Sequence, residues 1–597
     1  MDTRTISLSA LTRFTAFCAF ITVTSSLICP RYCHCDRRER SISCSVPYTY
    51  TSLPVNHVPQ SVRSFGLINQ SLFAFNDSWS SMNLDLREIR TINCFIYNMS
   101  HDALRGFGRL RVLHLDMNYL TEIPYCVSNS SSIRDLRMSE NSIQELPPGI
   151  FDNLTQLRIL QLAGNYILQV PSTTFQLLSE LRVLNLSDNR IRAITKWTFA
   201  NLTKLTDLDL SKNEVTNLNF GWLDSLTNLW VLKLSDFFGE VLLEDRELET
   251  NLLGLSEGLE FENLESLDIS KNSLTEIPCY RWGTMTTLFY LTMDENNFNV
   301  VNGSCFSELG DLHELRINNA NISVIETCAF CNMNHLHSLD LGNNFISFLP
   351  RRIFENSKLI RILKLDENYL TYLSDDFLYL PFLENLYLMK NEIRNISEFA
   401  FRSMPSLILL DLKGNKLTSI TTEFWSARSL RYIQLVRNKI RYVDEEAFSN
   451  CTFIQVIFLA ENRITTMKKE TLTRLRHLQK VTLEKNKWEC DCNLRWMHHD
   501  DKSIPKSRKD EMHWIRDLHD VRCASPERFK RHHIHAIKYS HNMICSSFPP
   551  PLTIKLIVNI SLAIVGLSTA LYIIQLYCKA RKVERHSDDI GKCLCFR

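Results

Sequence analysis

Cysteine is the residue type through which this 597-residue chain can do most covalent chemistry, and its 19 cysteines are grouped. Four stand at Cys29, Cys33, Cys35 and Cys44, and four more at Cys490, Cys492, Cys523 and Cys545. Sets of this kind either pair as disulfides in an oxidising compartment or hold zinc. His498 and His499 lie beside the second set, so spacing alone keeps the zinc alternative in view. Cys279, Cys305, Cys328 and Cys331 fall on nearby segments, where one or two further disulfides are expected, Cys279–Cys305 first among them. A second chemistry is N-glycosylation. Asn-x-Ser/Thr occurs at Asn69, Asn76, Asn98, Asn129, Asn153, Asn185, Asn201, Asn302, Asn321, Asn395 and Asn450, which permits glycans on an exported chain. No nucleophile-elbow, phosphate-loop or metalloprotease-helix pattern is present. His532, His533 and His535 sit in a basic stretch and read as solvated surface. The expectation is a protein that is not an enzyme, with no cofactor and no metal.

The termini favour disulfides over zinc. Residues 1–26 carry Arg4 and Arg13, an apolar Phe14–Val23 and small residues to Ser26, the pattern of a signal peptide. Leu556 to Cys578 runs 23 residues without a charge, enough to cross a bilayer, and Lys579, Arg581, Lys582 and Arg585 follow it. The expected topology is single-pass type I in the cell membrane, with an extracellular ectodomain and a short cytoplasmic tail, 579–597. A glycolipid anchor is the alternative, but its hydrophobic tail should end the chain, and here basic residues follow. Cys578, Cys593 and Cys595 are palmitoylation candidates or unmodified thiols.

Between the cysteine groups the chain repeats. Leu181–Lys204 reads LRVLNLSDNRIRAITKWTFANLTK, and its skeleton of Leu181, Leu184, Leu186, Asn189, Ile191, Phe199 and Leu202 returns at intervals of about 24 residues. Eighteen such units start between Val62 and Leu478. Leucines at the first, fourth and sixth positions must point inward from a short strand, and the strands must stack in parallel, because no single coil can bury its own apolar face. The ninth-position asparagine both donates and accepts, and so can satisfy the backbone of a buried turn. Gln70, Cys94, Phe237 and Ala320 depart from it; the unit starting at Leu229 is 35 residues long, with its insertion near 237–258. Cys94 and Cys451 read as core thiols, and Cys126 has no evident partner.

The repeat, with Cys-x3-Cys-x-Cys-x8-Cys before it and NKWECDCNLRW (Asn486–Trp496) after it, resembles the extracellular leucine-rich repeat family with cysteine caps. That resemblance implies the pairs Cys29–Cys35 and Cys33–Cys44 at one end, and Cys490–Cys523 and Cys492–Cys545 at the other. Lys487 stands where the family usually has proline. Taken with a single membrane span, the outer part resembles a Toll-like receptor ectodomain without the cytoplasmic signalling domain. The expected fold class is an α/β solenoid: a leucine-rich repeat horseshoe with a parallel concave β-sheet and disulfide caps, plus one transmembrane helix. The expected domains are a signal peptide (1–26), N-terminal cap (27–61), repeats (62–485), C-terminal cap (486–546), stalk (547–555), membrane helix (556–578) and tail (579–597). The resemblance implies a recognition receptor or co-receptor of innate immune type for a protein or microbial ligand, signalling through a partner chain. An adhesion protein is the alternative. A co-receptor or a second copy of the chain are candidate partners, and a net charge of +1 points to no nucleic acid.

Three features could carry recognition. Solvent-facing strand positions near the C-terminal end include Tyr387, Met389, Leu409, Tyr432, Val436, Val456 and Phe458, which could merge into an apolar patch. Alternatively, third-position residues tuck under their neighbours, as expected of Ile159 and Val183. Arg87, Arg90, Arg134 and Arg137 are expected on the concave side of the N-terminal arc, and Asp207, Asp209, Asp236, Asp268 and Asp294 farther on. This is either an orienting charge gradient or a solvated face. The insertion after Phe237 is either a functional loop or a tolerated one. Asn185, at a concave position, would place a glycan on the sheet and push a ligand toward another part of the arc.

Overall fold

The computed structural model describes residues 33–36, 38–45, 62–75, 85–218, 221–238, 261–375, 377–497 and 515–537. The expected signal peptide, Cys29, Asn76, Cys545, stalk, membrane helix and tail lie outside them, as does nearly all of the insertion. Among the described residues no helix is long and apolar enough to cross a membrane.

Each coil contributes one short strand to a single 20-stranded sheet. The strand Val183–Asn185 shows why. Leu184 points inward and is fully buried, while Val183 and Asn185 point out and stay partly exposed, the two-residue alternation of a strand. Its neighbours pair in parallel, Leu160, Leu184 and Leu208 standing side by side. Each such leucine removed from water contributes about 1.5–3 kcal/mol, and only stacking of coils lets that happen. The long coil does not break the register: Val231, Leu232 and Lys233 pair with Ser266, Leu267 and Asp268.

The asparagines hold the turn that follows each strand. Asn189 Nδ2 donates to the carbonyls of Leu162, Leu186 and Ser187, and its Oδ1 accepts the amide of Ile167 at 3.0 Å. Where the asparagine is replaced, the next one still reaches back. Asn118 accepts the amides of Cys94 and Ile96, Asn344 those of Ala320 and Ile322, and Asn272 that of Phe237. Cys94 fills its slot as a thiol donor, 3.4 Å from the carbonyls of Leu67 and Ile92. The residue before each ladder position turns left-handed: Asp188 has φ 54°, Lys212 53° and Lys271 57°. Non-glycine residues adopt that conformation at a cost, which the surrounding ladder offsets.

On the opposite side, rings line up from coil to coil: Phe151, Phe175, Phe199, Trp222 and Phe237 follow one another at 5.9–6.2 Å. This side holds little helix. Among the described residues its α-helices are the four-residue Tyr125–Ser128 and Glu470–Thr473, with a 3-10 helix at Cys279–Thr284 and mostly turns in the other coils.

Both sheet edges are closed, as exposed ladder groups would otherwise template pairing with another chain. At the start, β1 (Cys33–Asp36) and β2 (Ser41–Cys44) form an antiparallel hairpin, and β2 pairs in parallel with β3 (Ser64–Ile68). Cys33 and Cys44 are bonded across that hairpin, and Cys35 is disulfide-bonded too. At the other end Asp517 Oδ2 accepts the amides of Leu483 and Glu484, and Cys490 is bonded to Cys523. Cys279–Cys305 joins two successive coils, and Cys328–Cys331 closes within one. Cys94, Cys126 and Cys451 are buried thiols. The side chain of Cys492 lies outside what the structure describes.

Candidate functional site

Register decides which outward residues become neighbours. At the C-terminal end one row runs Asn385, Leu409, Tyr432, Val456, Lys480, and the row beside it runs Tyr387, Asp411, Gln434, Phe458, Thr482. Leu409, Tyr432 and Val456 are therefore contiguous. Tyr387 and Phe458 are not, because Asp411 and Gln434 stand between them, and Lys413 separates Met389 from Val436 in the third row. Tyr432 is 39% exposed and its hydroxyl donates to Gln455 Oε1 at 3.0 Å; the other apolar members are partly exposed. Lys480 Nζ stands 5.0 Å from the centre of the Phe458 ring. Gln434 Oε1 and Thr482 Oγ1, on either side of Phe458, are buried without a hydrogen-bond partner.

Carboxylates border this strip. Asp366 Oδ1 accepts the amide of Met389, yet burial pushes its carboxyl up to about 6, with Asp411 and Asp340 adding like charge. Burial also raises Asp411, against the amide of Lys413 that favours its charged form. An apolar strip edged by carboxylates that resist ionisation suits an apolar partner surface carrying a cation or a hydrogen-bond donor.

The central charges close on each other. Arg316 meets Asp294 at 2.7 Å, Lys364 meets Asp340 at 3.0 Å and Lys233 lies 3.8 Å from Asp209. Asp209 and Asp268 also accept the amides of Ser211 and Ser270 in their own turns. An uninterrupted acidic arc is therefore not formed. In the N-terminal arc Arg90 pairs with Glu88 and Arg137 with Asp135. Against its burial, His114 and Arg137 hold Asp135 below the usual carboxylate range. Arg87 and Arg134 are not on the concave rows at all. They occupy the second repeat position, just before the strand, together with Arg63, Arg111, Arg158 and Arg182. Aligning the repeats by that column would have found this set.

The sequon asparagines Asn69, Asn98, Asn129, Asn153, Asn201, Asn302, Asn321 and Asn395 are exposed, and Asn450 is partly so. Asn185 faces the concave side, where its Oδ1 accepts the amide of Ser187. Tyr372, 53% exposed, pairs with Asn395 on a small lateral sheet, and Phe345 stacks on Tyr369 nearby at 5.8 Å. That lateral aromatic group has a repeat-column signature which attention to the concave positions missed. For metal ligation, the described residues bring together Cys328, Cys331 and Glu355. The two sulfurs are bonded to each other, which removes them as thiolate ligands.

A family model described as "Leucine-rich repeat region" matches residues 85–347, and one described as "Leucine rich repeat" matches 334–393, 381–440 and 428–487. Among solved structures, the chain is similar to one in the Drosophila Toll–Spatzle complex, with TM-score 0.63 and 16% identity over 83% of this chain and 70% of that one. The glycosylated form of that complex matches with TM-score 0.60 and 17% identity, over 83% and 71% of the two chains. At these identities the likeness is one of fold. The TLR13–ssRNA13 complex overlaps less closely, with TM-score 0.48 and 16% identity over 83% of this chain and 98% of that one. The absence of a nucleic-acid partner expected from the sequence gains no support from these matches. No curated protein matches the chain.

Proposed function

The chain belongs to the leucine-rich repeat family, and on that premise we propose that it is a Toll-like cell-surface recognition receptor or co-receptor binding a protein or microbial ligand. The observation that carries this reading is the concave strip itself. Leu409, Tyr432 and Val456 stay in contact with solvent across three coils, whereas Asp294 and Asp340 of the central coils are ion-paired with Arg316 and Lys364. A scaffold alone has no need of a contiguous apolar row on its open face. The disulfides at both ends suit an oxidising, extracellular setting. The membrane attachment proposed at 556–578 would hold the solenoid at the cell surface. The concave strip is the proposed ligand surface, with Tyr432 as its aromatic anchor and Phe458 beside it.

The test displays the full-length chain on cultured cells, identifies bound molecules by proximity labelling, and repeats the binding with Tyr387→Ala, Tyr432→Ala and Phe458→Ala combined. The expected outcome is loss of most ligand binding, at least about tenfold for two anchors worth 1–2 kcal/mol each, with unchanged surface expression. Equal binding by the triple variant would refute the site. Aggregation of expressing cells without any soluble ligand would favour adhesion.

A further inference from the structure

The second repeat position holds arginine in six consecutive coils: Arg63, Arg87, Arg111, Arg134, Arg158 and Arg182. The backbone chains them together. The amide of Arg87 donates to the carbonyl of Arg63, Arg111 to Arg87, Arg134 to Arg111, Arg158 to Arg134 and Arg182 to Arg158, at 2.7–2.8 Å. Neighbouring strands lie about 4.8 Å apart, so six guanidiniums are set along one edge of the sheet over about 24 Å. The run ends where Thr206 and then Trp230 take the position.

Asp85 and Glu180 feel the charges of Arg63, Arg87, Arg158 and Arg182, but their carboxylates are bonded elsewhere. Among the described residues none of the six forms an ion pair, although the nearby acids do: Asp85 is taken by Arg109 and Glu180 by Lys204. Arg134 Nη2 reaches only the neutral Gln156, at 3.3 Å, and Arg63 Nε is buried without a partner. Arg111, Arg158 and Arg182 are exposed. Arg87, Arg109, Arg111 and Arg134 line a pocket of about 630 Å³ floored by Ser131, Ser132 and Gln156.

We propose that this arginine ladder binds a linear anionic polysaccharide, sulfated or carboxylated, along the N-terminal edge of the sheet. Guanidinium groups take sulfate and carboxylate oxygens in a two-pronged fashion, and the hydroxyls and amide of the pocket suit sugar hydroxyls. A regular row of cations matches a regularly charged polymer rather than one folded protein surface. Single-stranded nucleic acid binders interleave aromatic platforms with their cations, and the pocket has none. Ser131 is also the sequon serine of Asn129, so a glycan on that exposed asparagine would border the pocket. The site rests on extracellular placement but not on the concave strip.

The experiment measures binding of the full-length chain to heparin, to neutral dextran and to a poly(dT) oligonucleotide between 50 and 200 mM salt. Heparin is expected to bind and dextran not. With six charges engaged, the weakening over that salt range is about 300-fold, taking the single-strand slope of about 0.7 per charge. Arg111→Ala, Arg158→Ala and Arg182→Ala together leave three charges and reduce the salt effect to about 20-fold. The charge-preserving lysine triple should recover much of the binding. A control variant removing Arg361 and Arg431, isolated arginines of the same column, should bind as the unaltered chain does. Thermal midpoints and the lysine triple separate loss of the site from misfolding. No heparin binding at 50 mM salt, or equal binding by the alanine triple, overturns the proposal. Tighter ladder-dependent binding of the oligonucleotide overturns it in favour of nucleic acid. The Tyr387, Tyr432 and Phe458 triple should leave heparin binding intact, so the two sites fail independently.

Discussion

Replacing Asn189 by alanine tests how the asparagine ladder is built. The side chain makes four hydrogen bonds, but they are unequal. The carbonyl of Leu162 keeps a second donor in Asn165, that of Leu186 keeps Asn213, and that of Ser187 keeps the amide of Gly164. The amide of Ile167 has Asn189 Oδ1 alone. Alanine therefore orphans one buried N–H, at about 1–3 kcal/mol, and thins three shared bonds, at about 0.5 kcal/mol each. The expected loss is about 2–5 kcal/mol. Because coils unfold with their neighbours, the readout is both the denaturant midpoint and hydrogen exchange at the Ile167 amide. Exchange there should accelerate far more than at the amides of Ile143 or Ile191, which keep Asn165 and Asn213. Aspartate at 189 retains the acceptor, so it should protect Ile167 while still destabilising through its carboxylate facing the Leu162 and Leu186 carbonyls. A loss under about 1 kcal/mol with Ile167 protection unchanged would refute the assignment.

Three more outcomes follow from the same geometry. Removing the Cys279–Cys305 bond, 26 residues apart, should lower stability by about 3.5 kcal/mol on chain entropy; an unchanged melting midpoint for the double serine variant would contradict this. Asp366 holds its proton up to about pH 6 when folded and releases it near 3.8 when unfolded, so its contribution to stability should fall as pH rises from about 4 through 6 and level off near 7. The swing is at most about 3 kcal/mol, less because the group is partly exposed, and Asp366→Asn should flatten it between pH 4 and 7. Asn185→Asp keeps the acceptor for Ser187, as Asp209 does for Ser211. It should therefore melt with wild-type midpoint while losing any glycan at that site by mass spectrometry; a clear drop in midpoint would count against the turn role.

The repeat is legible in the sequence because its causes are local and periodic. Leu184, Leu186 and Asn189 recur at fixed spacing, and burial of those leucines with satisfaction of one turn admits a single way of stacking. The columns of the concave face follow from the same period. What the tertiary structure decided is how residues about 24 positions apart settle against each other. Asp411 and Gln434 come between Tyr387 and Phe458, so the apolar strip is narrower than its list of residues. Glu88 and Asp135 cancel Arg90 and Arg137, while the column of Arg63 to Arg182 keeps its charge. Side-chain reach and the acids already taken by other partners settle which cations are neutralised, and neither is written in the spacing. The left-handed turns at Asp188, Lys212 and Lys271 likewise belong to the stack, since those residues do not prefer that conformation alone. Sequence determined the coil, and packing of coil on coil determined which of its outward residues remain unpaired.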